Sequence, residues 1–252
     1  MSVPGFLKRA QTTVSAWRGE GGGVRHSLYL CLGAYLYGSF PFVYLLGRAR
    51  GVDLRHHGSG NVGGGNLWAA AGPRRGIIGW LADASKGALP VLVGRRLRRS
   101  APISELAGVC VLAGQCWPLF SRVRGGRGIS AFVGVAAAID PVAAAAALTG
   151  LAGGSLWRVA PLLGPRRLGE RIRASRSKSV PLGCLLGVLA FPVIRAAHTW
   201  PCVSTRRAPI LVAALIVGRR LTAPLPDDHT HGPARRPAAL LYRVLYDRNT
   251  AC

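Results

Sequence analysis

The feature that most constrains this chain is the distribution of its charges along the sequence. Long segments with almost no charged residue alternate with short clusters of arginine and lysine, although the formal net charge over 252 residues is +24. Uncharged apolar runs close to 20 residues long are typical of helices that cross the hydrocarbon core of a membrane, which is roughly 30 Å thick. Because the basic residues fall between such runs, the pattern predicts a membrane protein with basic loops.

The apolar segments predict an all-α integral membrane protein with about seven transmembrane helices and Gly-rich cytoplasmic loops. The run 128–157 is too long for one span and is interrupted by Asp140-Pro141. Proline disfavours helix at the residue before it, so we expect two helices that meet at a turn. The segments are 28–47, 76–94, 103–121, the two halves of 128–157, 180–197 and the shorter 208–218.

The basic residues also predict how the spans are oriented. With the N-terminus outside, the loops on the cytoplasmic side contain 21 lysines and arginines, against 10 in the outer regions. The positive-inside rule therefore favours this orientation. The four arginines between residues 95 and 99 are the exception, because they fall on the outer side.

The spans divide the chain into three regions. A basic N-terminal segment covers residues 1–27, the polytopic domain covers 28–222, and a tail rich in Pro, Arg and Asp covers 223–252 and is expected to be mobile. The N-terminal segment could begin a signal peptide, but the apolar run after it is as long as a full span. The six cysteines contain no C-x-x-C pair, so neither a disulfide framework nor a metal site is expected.

Two glycine-rich segments interrupt the apolar pattern on the same predicted side of the membrane. The first is DLRHHGSGNVGGGN at 53–66, and the second is RVRGGRG at 122–128. Glycines permit turns in which successive backbone N–H groups point into one concavity and bind an anion. Arginine forks and a following helix N-terminus also suit phosphate oxygens. The spacing fits a phosphorylated ligand and, equally well, tight turns whose arginines meet lipid headgroups.

Asp83 and Lys86 are charged residues inside a predicted span, three positions apart and therefore on the same helix face. Charges in hydrocarbon are costly unless they are paired or face a polar cavity. They form either an ion pair that fixes helix packing or a polar wall beneath the glycine-rich loops. We favour the structural role for Asp83 and leave both interpretations open for Lys86.

These stretches together resemble the bacterial acyl-phosphate:glycerol-3-phosphate acyltransferases, the PlsY family. The run YLYGSFPFVYLLGRARGVDLRHHGSGNVGGGN, followed by LADASKGALPVLVG, is similar to the start of that family, and GQCWPLFSRVRGGRGISAFVGV is similar to its signature GHxxPxFxxFKGGKGVAT. The resemblance covers roughly residues 30–140. It implies a membrane enzyme that transfers an acyl group from acyl-phosphate to the first hydroxyl of glycerol-3-phosphate, giving lysophosphatidic acid and phosphate. No cofactor and no metal are implied, and the partners are the two substrates and membrane lipid, not nucleic acid.

The resemblance also implies which residues form the site. Such an enzyme must hold two phosphates together, aim a hydroxyl at a carbonyl and stabilise an oxyanion. Ser59, Asn61 and Asn66 are the candidate catalytic residues, as neutral donors. The candidate substrate-binding residues belong to the two loops and the helices beside them: Gly58, Gly60, Gly63, Lys86, Gln115, Arg124, Gly125, Gly126, Arg127, Gly128 and Ser179.

Several positions depart from the family pattern. Ala69 replaces an arginine, and Gln115 replaces a histidine, so the side chain there can form hydrogen bonds but cannot exchange a proton near neutral pH. In the last motif, GRRLTAPL, Arg220 and Ala223 stand where the family has His and Asn. Two hypotheses therefore remain: an active acyltransferase with a divergent site, or a catalytically silent homologue that binds anionic lipid or lipid precursors.

Overall fold

The computed structural model describes residues 24–57, 60–121, 125–159, 179–199 and 207–222. These residues form helices and loops and contain no β-strand, which agrees with the predicted all-α class. The N-terminal segment up to residue 23 and the tail 223–252 lie outside the described residues. The helices are α1 Val24–Ser39, α2 Phe42–Arg48, α3 Gly64–Ala71, α4 Pro73–Arg96, α5 Ala101–Cys116, a 3₁₀ turn Leu119–Ser121, α6 Ile129–Ile139, α7 Pro141–Val159, α8 Ser179–His198 and α9 Arg207–Thr222.

Proline marks the main breaks between consecutive helices. The predicted break at Asp140 is confirmed, because α6 ends at Ile139 and the Asp140 carboxylate accepts hydrogen bonds from the first free amides of α7, those of Val142 and Ala143. The apolar run 28–47 was expected to be one continuous helix, and it is interrupted before Pro41. Proline has no N–H to continue a helical hydrogen-bond ladder, so the chain turns there and restarts as α2.

Small residues bring the helices into close contact. At Gly38 and Gly114, where α1 meets α5, a Cβ atom would overlap a backbone carbonyl oxygen of the other helix. The same holds at Gly87 and Gly134, where α4 meets α6. Packing through small residues is how helices associate in lipid, because burial of apolar surface gives no driving force there.

The bundle buries charged residues together with an apolar core, and it exposes large apolar side chains on its outer surface. The ion pair between Glu105 of α5 and Arg195 of α8 is buried, with 1% and 5% of the two residues exposed. Within the apolar core, Phe132 and Phe191 meet edge to face with ring centroids 5.7 Å apart. Large apolar side chains cover the outer surface, including Leu28, Tyr29, Leu81, Leu186, Val193 and Ile210. This distribution suits a surface that faces lipid rather than water.

Each predicted apolar segment overlaps a helix, and 28–47 is shared between α1 and α2. By length and composition, two stretches of the described chain could cross a membrane, Val24–Arg48 and Pro73–Arg96. Shorter apolar helices cover Ala101–Cys116, Ile129–Ile139, Pro141–Gly153 and Gly183–Ala197. The count of seven spans therefore stays a prediction.

Replacing Gly134 with alanine is expected to destabilise the bundle. A Cβ at this position would overlap the carbonyl oxygen of Ala84, and overpacking of this kind costs about 1–3 kcal/mol. Gly33→Ala is the matched control, because its Cβ would have no atom within 4 Å. In detergent, the Gly134 variant should melt several degrees below the wild type, while the Gly33 variant melts at the same temperature or higher because alanine favours helix. Equal melting temperatures for the two variants would contradict this packing.

Candidate functional site

A cleft open to the surface lies where the break between α1 and α2 meets α4, the end of α5 and both glycine-rich segments. The structure thus brings together two loops that are some 60 residues apart in the sequence. The lining combines backbone, apolar rings and four polar side chains from the helices. It consists of Gly38, Ser39, Phe40, Pro41, Phe42, Val43, Val62, Asp83, Lys86, Gln115, Pro118, Gly125 and Gly126.

Lys86 is the buried cation of the cleft, with only 4% of the residue exposed. Its ammonium group donates hydrogen bonds to the carbonyl oxygen of Phe40 at 2.7 Å and to Oε1 of Gln115 at 2.6 Å. The Asp83 carboxylate lies 3.8 Å away and balances the charge. The geometry is therefore consistent with both interpretations of Lys86, as a structural ion pair and as part of a polar wall, because it pairs with Asp83 and also lines the cleft.

Asn66 organises the first glycine-rich loop from the first turn of α3. Its Nδ2 lies 3.0 Å from the carbonyl oxygen of Leu54, 2.9 Å from that of His57 and 3.0 Å from that of Asn61. The side chain is buried, with 5% of the residue exposed. These contacts fold the loop around one amide group, which makes Asn66 a positioning residue. Its catalytic role stays a prediction.

The start of the same loop is held by Asp53, which sequence analysis did not single out. Arg55 donates to the Asp53 carboxylate through Nε at 3.1 Å, Nη2 at 2.8 Å and its backbone N–H at 3.0 Å. The Tyr44 hydroxyl lies 3.4 Å from the same carboxylate, and the Arg55 guanidinium stacks over the Tyr44 ring. The hydrogen bonds from Arg55 hold the pKa of Asp53 well below its usual range. The D-x-R spacing was the available sequence signal.

The second loop approaches its neighbours so closely that glycine is required. A Cβ at Gly125 would overlap the carbonyl oxygen of Cys116, and one at Gly126 would lie 3.0 Å from the carbonyl oxygen of Val62 in the first loop. Gly128 has φ = +74°, a left-handed conformation that glycine adopts readily, and it directly precedes α6. The glycines therefore allow the two loops to touch through their backbones.

Arg219, near the end of α9, fastens the second loop and was missed by sequence analysis. Its Nη2 donates to the carbonyl oxygen of Gly125 at 2.8 Å, and its Nε donates to that of Gly126 at 3.3 Å. The guanidinium also lies 5.9 Å from the centroid of the Trp117 ring. Only 6% of the residue is exposed. The available signal was an arginine directly after the last apolar segment.

The predicted site residues fall into three groups. Lys86, Gln115, Gly125 and Gly126 line the cleft, and Gly60, Asn61, Gly63, Asn66, Arg127 and Gly128 belong to the two loops that border it. Gly58, Ser59 and Arg124 lie outside the described residues, and Ser179 begins α8 with a side chain that is also outside them. Within the part of the chain that the structure describes, no group of three or more His, Cys, Asp or Glu could hold a metal ion.

A polar cleft with a buried ion pair, inside a helical bundle with an apolar exterior, is the arrangement of a membrane protein with an internal polar site. The family model described as glycerol-3-phosphate acyltransferase matches residues 28–163. The chain belongs to this family, and the resemblance inferred from its sequence is confirmed.

Similar proteins extend this assignment. Glycerol-3-phosphate acyltransferase 5 of Dehalococcoides mccartyi is 40% identical over 136 residues, covering 53% of this chain and 58% of that protein. The glycerol-3-phosphate acyltransferase of Geobacter sulfurreducens is 31% identical over 192 residues, covering 76% of this chain and 86% of that protein. For several curated relatives the chain spans about three fifths of their length, 56% to 62%.

A solved structure has the same fold. PlsY (YgiH), an integral membrane glycerol 3-phosphate acyltransferase, in its glycerol 3-phosphate form, superposes with a TM-score of 0.66 at 24% sequence identity. The superposition covers 88% of this chain and 95% of that one. The described helices therefore share the architecture of that protein.

Removing the Arg219 side chain is expected to loosen the second loop. In Arg219→Ala the carbonyl oxygens of Gly125 and Gly126 lose a charged donor, which costs about 1–3 kcal/mol per buried group left unpaired. Hydrogen exchange of the amides at 125–128 should become faster, with a smaller change in α7 and α8. Arg219→Lys should restore part of the protection, since a lysine cannot reproduce the two-pronged contact. Unchanged exchange in the alanine variant would show that Arg219 does not hold the loop.

Proposed function

We propose that this chain is a membrane acyltransferase that transfers a fatty acyl group from acyl-phosphate to the sn-1 hydroxyl of glycerol-3-phosphate. The products are lysophosphatidic acid, an early intermediate of phospholipid synthesis, and inorganic phosphate. The observation that carries the proposal is the cleft itself, in which the Lys86 ammonium lies beside the backbones of two glycine-rich loops in a chain of this family.

The proposed reaction places specific demands on the cleft. The hydroxyl oxygen bonds to the carbonyl carbon, the bond between that carbon and the phosphate oxygen breaks, and the hydroxyl proton ends on the released phosphate. Catalysis then depends on holding two anions near each other and on stabilising the oxyanion that develops on the carbonyl. Lys86 supplies the buried positive charge and Gln115 a neutral amide, while Arg127 adds a guanidinium at the start of α6.

The rim of the cleft suits the apolar part of the acyl donor. Phe40 and Phe42 line the cleft and are 46% and 36% exposed, so their rings present apolar surface directly beside the polar interior. The interior of the cleft, lined by Asp83, Lys86 and Gln115, is polar and suits a phosphate ester rather than an acyl chain. We therefore place the phosphate groups in the cleft and the acyl chain along the two rings.

We also propose that the protein resides in the bacterial plasma membrane, with about seven spans and with the glycine-rich loops on the cytoplasmic side. The apolar outer surface of the bundle supports the membrane setting. The excess of basic residues in the predicted cytoplasmic loops supports the orientation. Contact between the two loops at one cleft is consistent with both of them facing the same side.

The decisive test follows both products with the purified full chain in detergent. Acyl-phosphate should release inorganic phosphate only when glycerol-3-phosphate is present, and lysophosphatidic acid should form in equal amount. A silent homologue would form no lysolipid, yet glycerol-3-phosphate or acyl-phosphate would raise its melting temperature. If the assay shows no turnover and neither substrate raises the melting temperature, the cleft is not the substrate site.

Lys86 should matter for turnover beyond its part in folding. Lys86→Met alone leaves the buried Asp83 carboxylate without its cation, so the double variant Asp83→Asn/Lys86→Met is the informative one. It should melt below the wild type, because Phe40 and Gln115 lose the ammonium donor, but remain folded and lose turnover about 100-fold, the size expected when a charge stabiliser is removed. Asp83→Asn with Lys86 retained serves as the control for the aspartate. Wild-type turnover in the double variant would contradict a role for the ammonium in the reaction.

A further inference from the structure

The turn that joins α4 to α5 carries an unusual concentration of positive charge. Four of the five residues 95–99 are arginines, and the fifth, Leu97, is 56% exposed. Lys86 lies nine residues before the first of them on α4, which is about 14 Å along the axis at 1.5 Å per residue. The arginines therefore lie at the end of α4 that points away from the cleft.

The four arginines differ in their surroundings. Arg95 donates through Nη2 to the carbonyl oxygen of Ile139 at 3.0 Å, so it takes part in the packing of α4 on α6. Arg96 and Arg98 are exposed, and within the described ranges neither side chain has a hydrogen bond or an ion pair. The nearby acids that the structure describes are engaged elsewhere, since Glu105 pairs with Arg195 and Asp140 caps α7.

The backbone at Arg98 is unusual for an arginine. Its φ is +50°, in the left-handed region, and it is the only described residue other than glycine with a positive φ. The amide of Arg98 bonds to the carbonyl oxygen of Arg95, and the amide of Arg99 bonds to that of Gly94, which is the hydrogen-bond pattern that ends many helices. Glycine is the favoured residue at the central position of this motif. The chain thus holds an exposed arginine where glycine would be less strained.

We propose that Arg96 and Arg98 form a binding surface for the phosphate of anionic phospholipids, at the end of the bundle opposite the cleft. Guanidinium groups bind phosphate oxygens through paired hydrogen bonds, and basic clusters next to a membrane span attract anionic lipid. Leu92 and Val93 are 45% and 37% exposed on the preceding turn of α4, and with Leu97 they give the lipid chains an apolar surface beneath the headgroup. This proposal rests on the membrane setting of the proposed function, but not on its catalytic activity.

Lipid retention by matched variants tests the surface. The purified full chain is exchanged into detergent micelles that contain phosphatidylglycerol and phosphatidylcholine, and the lipids that stay bound are counted by native mass spectrometry. Arg96→Gln/Arg98→Gln should lose most of the preference for phosphatidylglycerol. Arg25→Gln/Arg207→Gln removes the same charge from exposed arginines at the starts of α1 and α9, which lie at the same end, and should retain the preference. Equal loss in both pairs, or loss in neither, would overturn the proposal.

Two further measurements separate the alternatives. Arg98→Gly should keep or raise the melting temperature while it lowers phosphatidylglycerol retention, because glycine relieves the left-handed backbone but removes the guanidinium. Unchanged retention of phosphatidylglycerol in this variant would show that Arg98 only ends the helix, and it would overturn the proposed role in lipid binding. An excess of free glycerol phosphate should leave the bound lipid in place, whereas full displacement would show a site for soluble phosphate instead. Phosphate release in detergent, measured in parallel, should be the same in both double variants and reports on the proposed reaction separately.

Discussion

The buried ammonium group of Lys86 is the interaction on which the arrangement of the cleft depends. A charge taken out of water inside a helical bundle costs several kcal/mol, roughly, unless its donors are satisfied and a counter-charge is near. Here α4 supplies Asp83, α5 supplies Gln115, and the break before Pro41 supplies the carbonyl oxygen of Phe40. Three separate segments must therefore meet at one point. The cleft forms at that point because a helix break, a helix end and a charged helix face cannot close-pack like the glycine and alanine contacts elsewhere.

The two loops can approach this point because their glycines have no side chains. At Gly125 a Cβ would overlap the end of α5, and at Gly126 it would lie 3.0 Å from a carbonyl oxygen of the first loop, so the bare backbone allows the close approach. Side chains then fix what the glycines leave mobile: Asn66 gathers three carbonyl oxygens of the first loop, and Arg219 holds two of the second. The glycines and these two polar side chains act together. The glycines permit the close approach of the loops, and the hydrogen bonds hold the loops in one conformation.

The parts that sequence analysis predicted are those encoded locally. The apolar runs predicted the helices, and Asp140-Pro141 predicted the break between α6 and α7. The spacing of Asp83 and Lys86 predicted that they share one helix face. The parts it missed depend on distant contacts. Arg219 and Gly125 are 94 residues apart, and no periodicity links them. The break before Pro41 was missed for a different reason, because an uncharged run has the pattern of a single span whether or not its helix is continuous.

Gln115 shows how the divergent site constrains the chemistry. Its side-chain oxygen accepts a hydrogen bond from Lys86, and an amide cannot take up a proton near neutral pH. A histidine at this position could accept the same hydrogen bond and also exchange a proton. In the proposed reaction the proton of the attacking hydroxyl must therefore travel without residue 115, and it ends on the phosphate that leaves. The cleft then contributes to the proposed reaction by positioning the substrates and by stabilising charge. Catalysis therefore depends on how rigidly Lys86 and the two loops are held in place.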